Sequence, residues 1–139
     1  TEAGWLQRVS AVGGTRCNSL VWRCQLAVGA VLPVSLAYGG IVISLARALS
    51  FNGLANAFQI AAINGGRHVA PCFAGDTIYA WSEILEACEI PHRRDIAAVR
   101  TRLVATKNRT CADFPFKTPT GEYSQGVILD LDLWLILPR

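Results

Sequence analysis

Three stretches of the chain alternate with a period of two. From Thr77 to Glu83, Ile78, Ala80 and Ser82 fall on one side, and Thr77, Tyr79, Trp81 and Glu83 on the other. Val99, Thr101, Leu103 and Ala105 alternate with Arg100, Arg102 and Val104, and Val127, Leu129, Leu131, Leu133, Leu135 and Leu137 alternate with Ile128, Asp130, Asp132, Trp134 and Ile136. Side chains that switch sides at every residue predict strands. Between Ile41 and Leu49 the period changes: Ile41, Leu45 and Leu49 recur at i, i+4 and i+8, with Val42 and Ala46 beside them. That spacing predicts a helix, with Asn52-Gly53 as its stop. Leu26 to Leu32, ended by Pro33, suits a buried strand. Residues 1 to 24 read as loop and short strand, and Phe58 to Ile63 fits a strand or a continued helix. Gly75-Asp76 and the stretch Ile90 to Asp95 punctuate the later strands.

One apolar helix followed by successive strands joined through turns predicts an α+β domain, an antiparallel sheet wrapped around a single helix. If the last two strands pair, Arg100 and Arg102 run in step with Asp130 and Asp132 as a surface charge ladder. With 139 residues, 52% of them hydrophobic and 17% charged, the chain suits one folded domain rather than a disordered segment. The net charge of +3 comes from scattered arginines and lysines. No basic stripe interleaved with aromatics points to nucleic acid. Five cysteines, Cys17, Cys24, Cys72, Cys88 and Cys111, have no zinc spacing, so reduced thiols in a cytoplasmic protein are expected and no metal or cofactor is indicated. Gln25 to Ala46 carries no charge, but Pro33, three glycines and two serines argue against a membrane span, and a helix enclosed by a sheet would be equally apolar.

Arg67, Pro71, Gly75, Asp76 and Thr77, with His68 in an aromatic place and Cys72 in a valine place, form a word that resembles the MaoC-like hydratases and dehydratases of the hotdog fold. Tyr38-Gly39-Gly40, Ser44 to Ala57, Ile63 to Glu86, Val104 to Arg109 and the closing Leu-Trp-Leu-Ile-Leu-Pro-Arg extend the likeness over about residues 38 to 139. The resemblance implies a MaoC-like hotdog domain at 38–139 behind a divergent segment at 1–37, with a curved antiparallel sheet around a central hydrophobic helix. It also implies that Phe58 to Ile63 is a strand, bent by a bulge at Gly65-Gly66. The implied activity is reversible hydration of a branched, dicarboxylic enoyl-CoA thioester. The implied partners are that acyl-CoA and either a second copy, as a homodimer, or a second hotdog half.

Such chemistry needs a base, an acid and a donor to the thioester oxygen. The family's acid and base resemble an Asp-x-x-x-x-His pair ahead of the helix. Residues 1 to 37 contain neither Asp nor His, and Glu2 is their one acid. An acyl-CoA-binding or structural hotdog without turnover is therefore the rival expectation. Gly39 and Gly40 are the oxyanion candidates, because amides at a helix N-terminus are unpaired and carry partial positive charge; a tight helix start where only Gly fits is the plainer alternative. Tyr38, Asn64, Gly65, Gly66, Arg67 and His68 are the candidate substrate-binding residues. Packing explains Tyr38, a bulge the glycines, a cross-strand ion pair Arg67, and a satisfied strand histidine His68. His92, in a turn beside Arg93 and Arg94, reads as solvated. The likeness stops abruptly before Tyr38, where Arg, Trp, Cys, Gly and Val abound. A divergent segment or an out-of-frame reading would each produce this; the chain also begins with Thr rather than Met and lacks a signal sequence, as expected of a processed or excised fragment.

Overall fold

The computed structural model describes residues 16–18, 22–23, 36–50, 54 and 56–139. They form β1 (Arg16–Asn18), β2 (Trp22–Arg23), α1 (Gly39–Leu49), β3 (Gln59–His68), β4 (Thr77–Glu89), β5 (Ile96–Lys107) and β6 (Val127–Pro138). The strands make one antiparallel sheet in the order β1-β4-β5-β6-β3, with β2 also paired to β4. The expected strand at Leu26 to Leu32 and the stop at Asn52-Gly53 lie outside the described residues.

The period-two alternation builds the two faces. Ile78 and Ala80 of β4, Leu103 and Ala105 of β5, and Leu129, Leu131, Leu133 and Leu135 of β6 form the inner face, against which α1 buries Val42, Ala46 and Leu49. On the outer face Trp81, Val104 and Val127 pack with Cys111, Phe114, Phe116 and Tyr123 of the β5–β6 connection. Trp81 Nε1 donates to the Pro115 carbonyl at 3.0 Å, and its ring meets Phe114 edge-on at 5.7 Å between centroids. Helix and connection thus cover opposite sides of one sheet.

Three expectations shift in detail. The most buried line of α1 is Val42, Ala46 and Leu49 rather than Ile41, Leu45 and Leu49, because the helix settles on β4 and β5. It ends at Leu49, where the Ser50 amide donates to the Ala46 carbonyl and Arg47 reaches across to the Ala57 carbonyl. Val127 packs outside with Trp81 while Ile128 packs inside with the leucines, since a register shift between Ala105 and Thr106 reverses the phase at the start of β6. The strand expected at Phe58 to Ile63 continues through Gly65 and Gly66 to His68, and its irregularities fall between Ile60 and Ala62 and between Ile63 and Gly65.

The charge ladder is present and diagonal. Arg100 grips Asp132 at 2.7 Å, and Arg102 lies 3.8 Å from Asp130. β3 stands at the end of the sheet order, and all ten of its residues are exposed, Ile60 at 44% and Ile63 at 61%. No helix among the described residues is long and apolar enough to cross a membrane. Cys88 and Cys111 are free thiols, and no group of His, Cys, Asp and Glu among the described residues could hold a metal ion.

Candidate functional site

The end of the sheet where β3 finishes and β4 starts is also where α1 begins. Leu36 bridges to Phe73, and the Ala37 amide donates to the Cys72 carbonyl at 2.7 Å, tying the segment before α1 to the β3–β4 loop. That loop is fixed in turn by Asp76. Its carboxylate accepts from the Phe73 amide at 2.9 Å and from Asn108 Nδ2 at 2.7 Å, with Lys107 Nζ at 3.9 Å. Burial alone would raise the Asp76 pKa; the two hydrogen bonds and the lysine outweigh it and hold the carboxyl below its ordinary value. Gly75 takes φ of 95°, a left-handed conformation that suits glycine, so Gly75-Asp76 acts as a turn.

Between these two tied segments lies a cavity of about 400 Å³, lined by Leu36, Ala37, Gly39, Val42, His68, Val69, Ala70, Pro71 and Cys72. Gly39 is at its wall and at the first turn of α1. No side chain caps that turn, since the N-cap residue is Tyr38, and no acid occupies it. A positive helix end free of a neutralising carboxylate suits a developing oxyanion. A β-carbon placed on Gly39 would lie 2.8 Å from His68 Nε2 and 2.9 Å from Cε1, so the imidazole rests directly on the glycine. Cys72 is buried, and its thiol hydrogen-bonds the Asp76 carboxylate.

The residues singled out in the sequence fall into two places. Gly39 and His68 meet at the cavity. Tyr38 is 77% exposed and folds its ring over Gly40, where an added β-carbon would meet Tyr38 Cε1 at 2.6 Å. Gly65 and Arg67 pair with Asp132 and Asp130 of β6, Asn64 falls in the register shift between Ile63 and Gly65, and Gly66 and His68 stand opposite the inward Leu131 and Leu129. Asn64 Nδ2 donates to Asp132 at 3.2 Å. A separate hollow of about 290 Å³ there is lined by Gly65, Gly66, Arg67, Arg102, Tyr123, Asp130 and Asp132. Tyr123 donates to Asp130 at 2.8 Å; burial, and next this carboxylate, push its phenol upward. The Arg100 hydrogen bonds hold Asp132 below the usual carboxylate range. His92 is exposed in its turn. Sequence reasoning missed the apolar lining from Leu36, Ala37 and Val69 to Cys72, whose approach depends on the Leu36–Phe73 bridge.

A helix laid on an antiparallel sheet and entered through paired glycines defines a hotdog domain. No protein-family model matches the chain. Over 104 residues, 75% of the chain, it is 62% identical to beta-methylmalyl-CoA dehydratase of Chloroflexus aurantiacus and 55% identical to mesaconyl-CoA hydratase of Cereibacter sphaeroides, and it spans 30% of the length of each. A crystal structure of a MaoC domain protein from Chloroflexus aurantiacus superposes with a TM-score of 0.72 at 62% identity, over 75% of this chain and 30% of that one. A Mycobacterium tuberculosis protein with a double hotdog fold superposes over the whole chain and 44% of its own, with a TM-score of 0.61 at 19% identity, a likeness of fold alone. The chain has a hotdog fold and is similar, over this part of its length, to these proteins.

Proposed function

We propose that this domain, residues 38–139, takes part in the reversible addition of water to a branched, dicarboxylic enoyl-CoA thioester; the two curated relatives are named as a dehydratase of beta-methylmalyl-CoA and a hydratase of mesaconyl-CoA. The observation that carries this is the 62% identity over 104 residues. The geometry supports it: a largely apolar cavity opens beside the uncapped first turn of α1, where the Gly39 and Gly40 amides suit a thioester oxygen gaining negative charge. In this reading the amides act as electrophile toward the thioester oxygen, and the open side of the cavity admits the water that adds. Tyr38, Asn64, Gly65, Gly66, Arg67 and His68 remain the candidate contacts for the acyl-CoA, with His68 alone of the side chains among them at the cavity wall. No cofactor is required, because the addition is neither a redox step nor a group transfer. A cytoplasmic protein fits a substrate of this kind.

The chain spans 30% of its curated relatives, and β3 lies bare along all ten residues. Both features favour a second hotdog, either a second copy in a homodimer or a further half of a longer polypeptide, pairing along β3. The rival reading, an acyl-CoA-binding module without turnover, is favoured by the lack of any Asp or His in residues 1 to 37. Incubating the purified chain with mesaconyl-CoA and following loss of the enoyl absorbance separates the two. Hydration supports the enzyme; binding of the thioester with no absorbance change selects the module.

A further inference from the structure

We propose that His68 is the proton-transfer residue of this domain, acting on a thioester whose carbonyl oxygen sits at the first turn of α1. The assignment rests on the hydration reading above and adds the group that moves the proton. Three observations converge on it. The His68 imidazole is at the wall of the 400 Å³ cavity, with Nε2 packed on Gly39, the residue whose amide faces the developing charge. Of the nine residues lining that cavity, His68 and Cys72 alone carry a titratable side chain, and the Cys72 thiol is engaged with Asp76. His68 is itself exposed on the inward side of β3, opposite Leu129, with no hydrogen bond to satisfy or restrain it among the described residues. Gly39 permits the contact; any larger residue would push the ring away from the helix end.

The chemistry balances with this one group. The Nε2 lone pair takes a proton from water as the water oxygen forms a bond to the β-carbon. The π electrons of the Cα=Cβ bond move to the thioester, giving an enolate whose oxygen is held by the helix amides. The same imidazolium then returns its proton to the α-carbon, the carbonyl re-forms, and the sum is one water added with His68 neutral again. Because Nε2 rests on Gly39 at the first turn of α1, a single base next to the thioester serves both carbons in this proposal. An imidazole is suited to the double task because its unprotonated ring nitrogen can accept a proton and give it up again.

The test compares the full chain with His68→Gln, His68→Gly and His92→Gln. The chain has two histidines, so His92→Gln is the matched control, and in that background His68 gives the one imidazole signal. With mesaconyl-CoA, His68→Gln is expected to lower kcat by about 100-fold or more with KM close to wild type, and to abolish the limb of the pH–rate profile that wild type shows. Added imidazole should restore part of the turnover of His68→Gly and leave His92→Gln unchanged. Independently of turnover, the saturated analogue of the thioester should shift the His68 Cε1–H resonance on binding. Retained kcat in His68→Gln, or a resonance that stays put while the analogue binds, overturns the role of His68 and leaves the hydration reading standing. A wild-type chain that neither binds the analogue nor hydrates the substrate overturns both.

Discussion

Replacing Trp81 by Phe should unhitch the outer pad from the sheet. Trp81 is 1% exposed, and its indole N–H donates to the Pro115 carbonyl at 3.0 Å. Removing the donor leaves that carbonyl without its partner in a dry site, a loss of about 1–3 kcal/mol. The ring also meets Phe114 and Phe116 edge-on, at centroid distances of 5.7 and 6.4 Å. Such pairs contribute about 0.5–1.5 kcal/mol each, part of which a phenyl ring retains. The sum is about 2–4 kcal/mol, which for a domain of this size lowers Tm by about 10 °C. Urea unfolding followed by far-UV circular dichroism gives the stability change. Amide exchange at Ser124, whose N–H bonds the Phe116 carbonyl at 2.8 Å, reports the connection itself. A loss below about 1 kcal/mol, or unchanged protection at Ser124, would refute the idea that Trp81 anchors the 109–126 segment.

Two further predictions follow from the charged face and the bare edge. Asp132→Asn removes the carboxylate that Arg100 grips and should cost about 1 kcal/mol at neutral pH. Because the folded-state value of Asp132 lies below that of the unfolded chain, its contribution is fully present above the ordinary Asp value of about 4 and disappears as pH falls through the folded value; the Asn variant should therefore show a shallower loss of stability between neutral and acid pH in urea titrations. Ile63→Lys, at a position already 61% exposed, should leave the melting of the isolated domain unchanged while abolishing self-association in sedimentation velocity; a variant that still associates argues that β3 is not the contact.

The alternation from Thr77 to Glu83 and the ladder of Arg100 and Arg102 against Asp130 and Asp132 could be read from the chain because each depends on period-two geometry alone. The phase reversal at Val127 could not, since it arises from how β6 pairs with β5. Likewise the buried line of α1 is set by where the helix lands, and an almost wholly apolar helix gives no polar side to mark that direction. The site was half legible. Reading Arg67 and His68 together as one motif overlooked what a strand dictates: consecutive residues face opposite ways, so only His68 reaches the helix. The apolar cavity walls were hidden because the Leu36–Phe73 bridge brings together residues far apart in sequence.

The ten uncovered residues of β3 carry a consequence for handling the protein. Along Ile60, Ala61, Ala62 and Ile63 the edge turned away from β6 has no strand partner among the described residues, and it carries apolar side chains with no proline or lysine to discourage a stranger from zipping on. Left without its companion, such a border is a seed for fibrils as much as for assembly. The concentration at which the domain is stored would then decide which of the two it becomes.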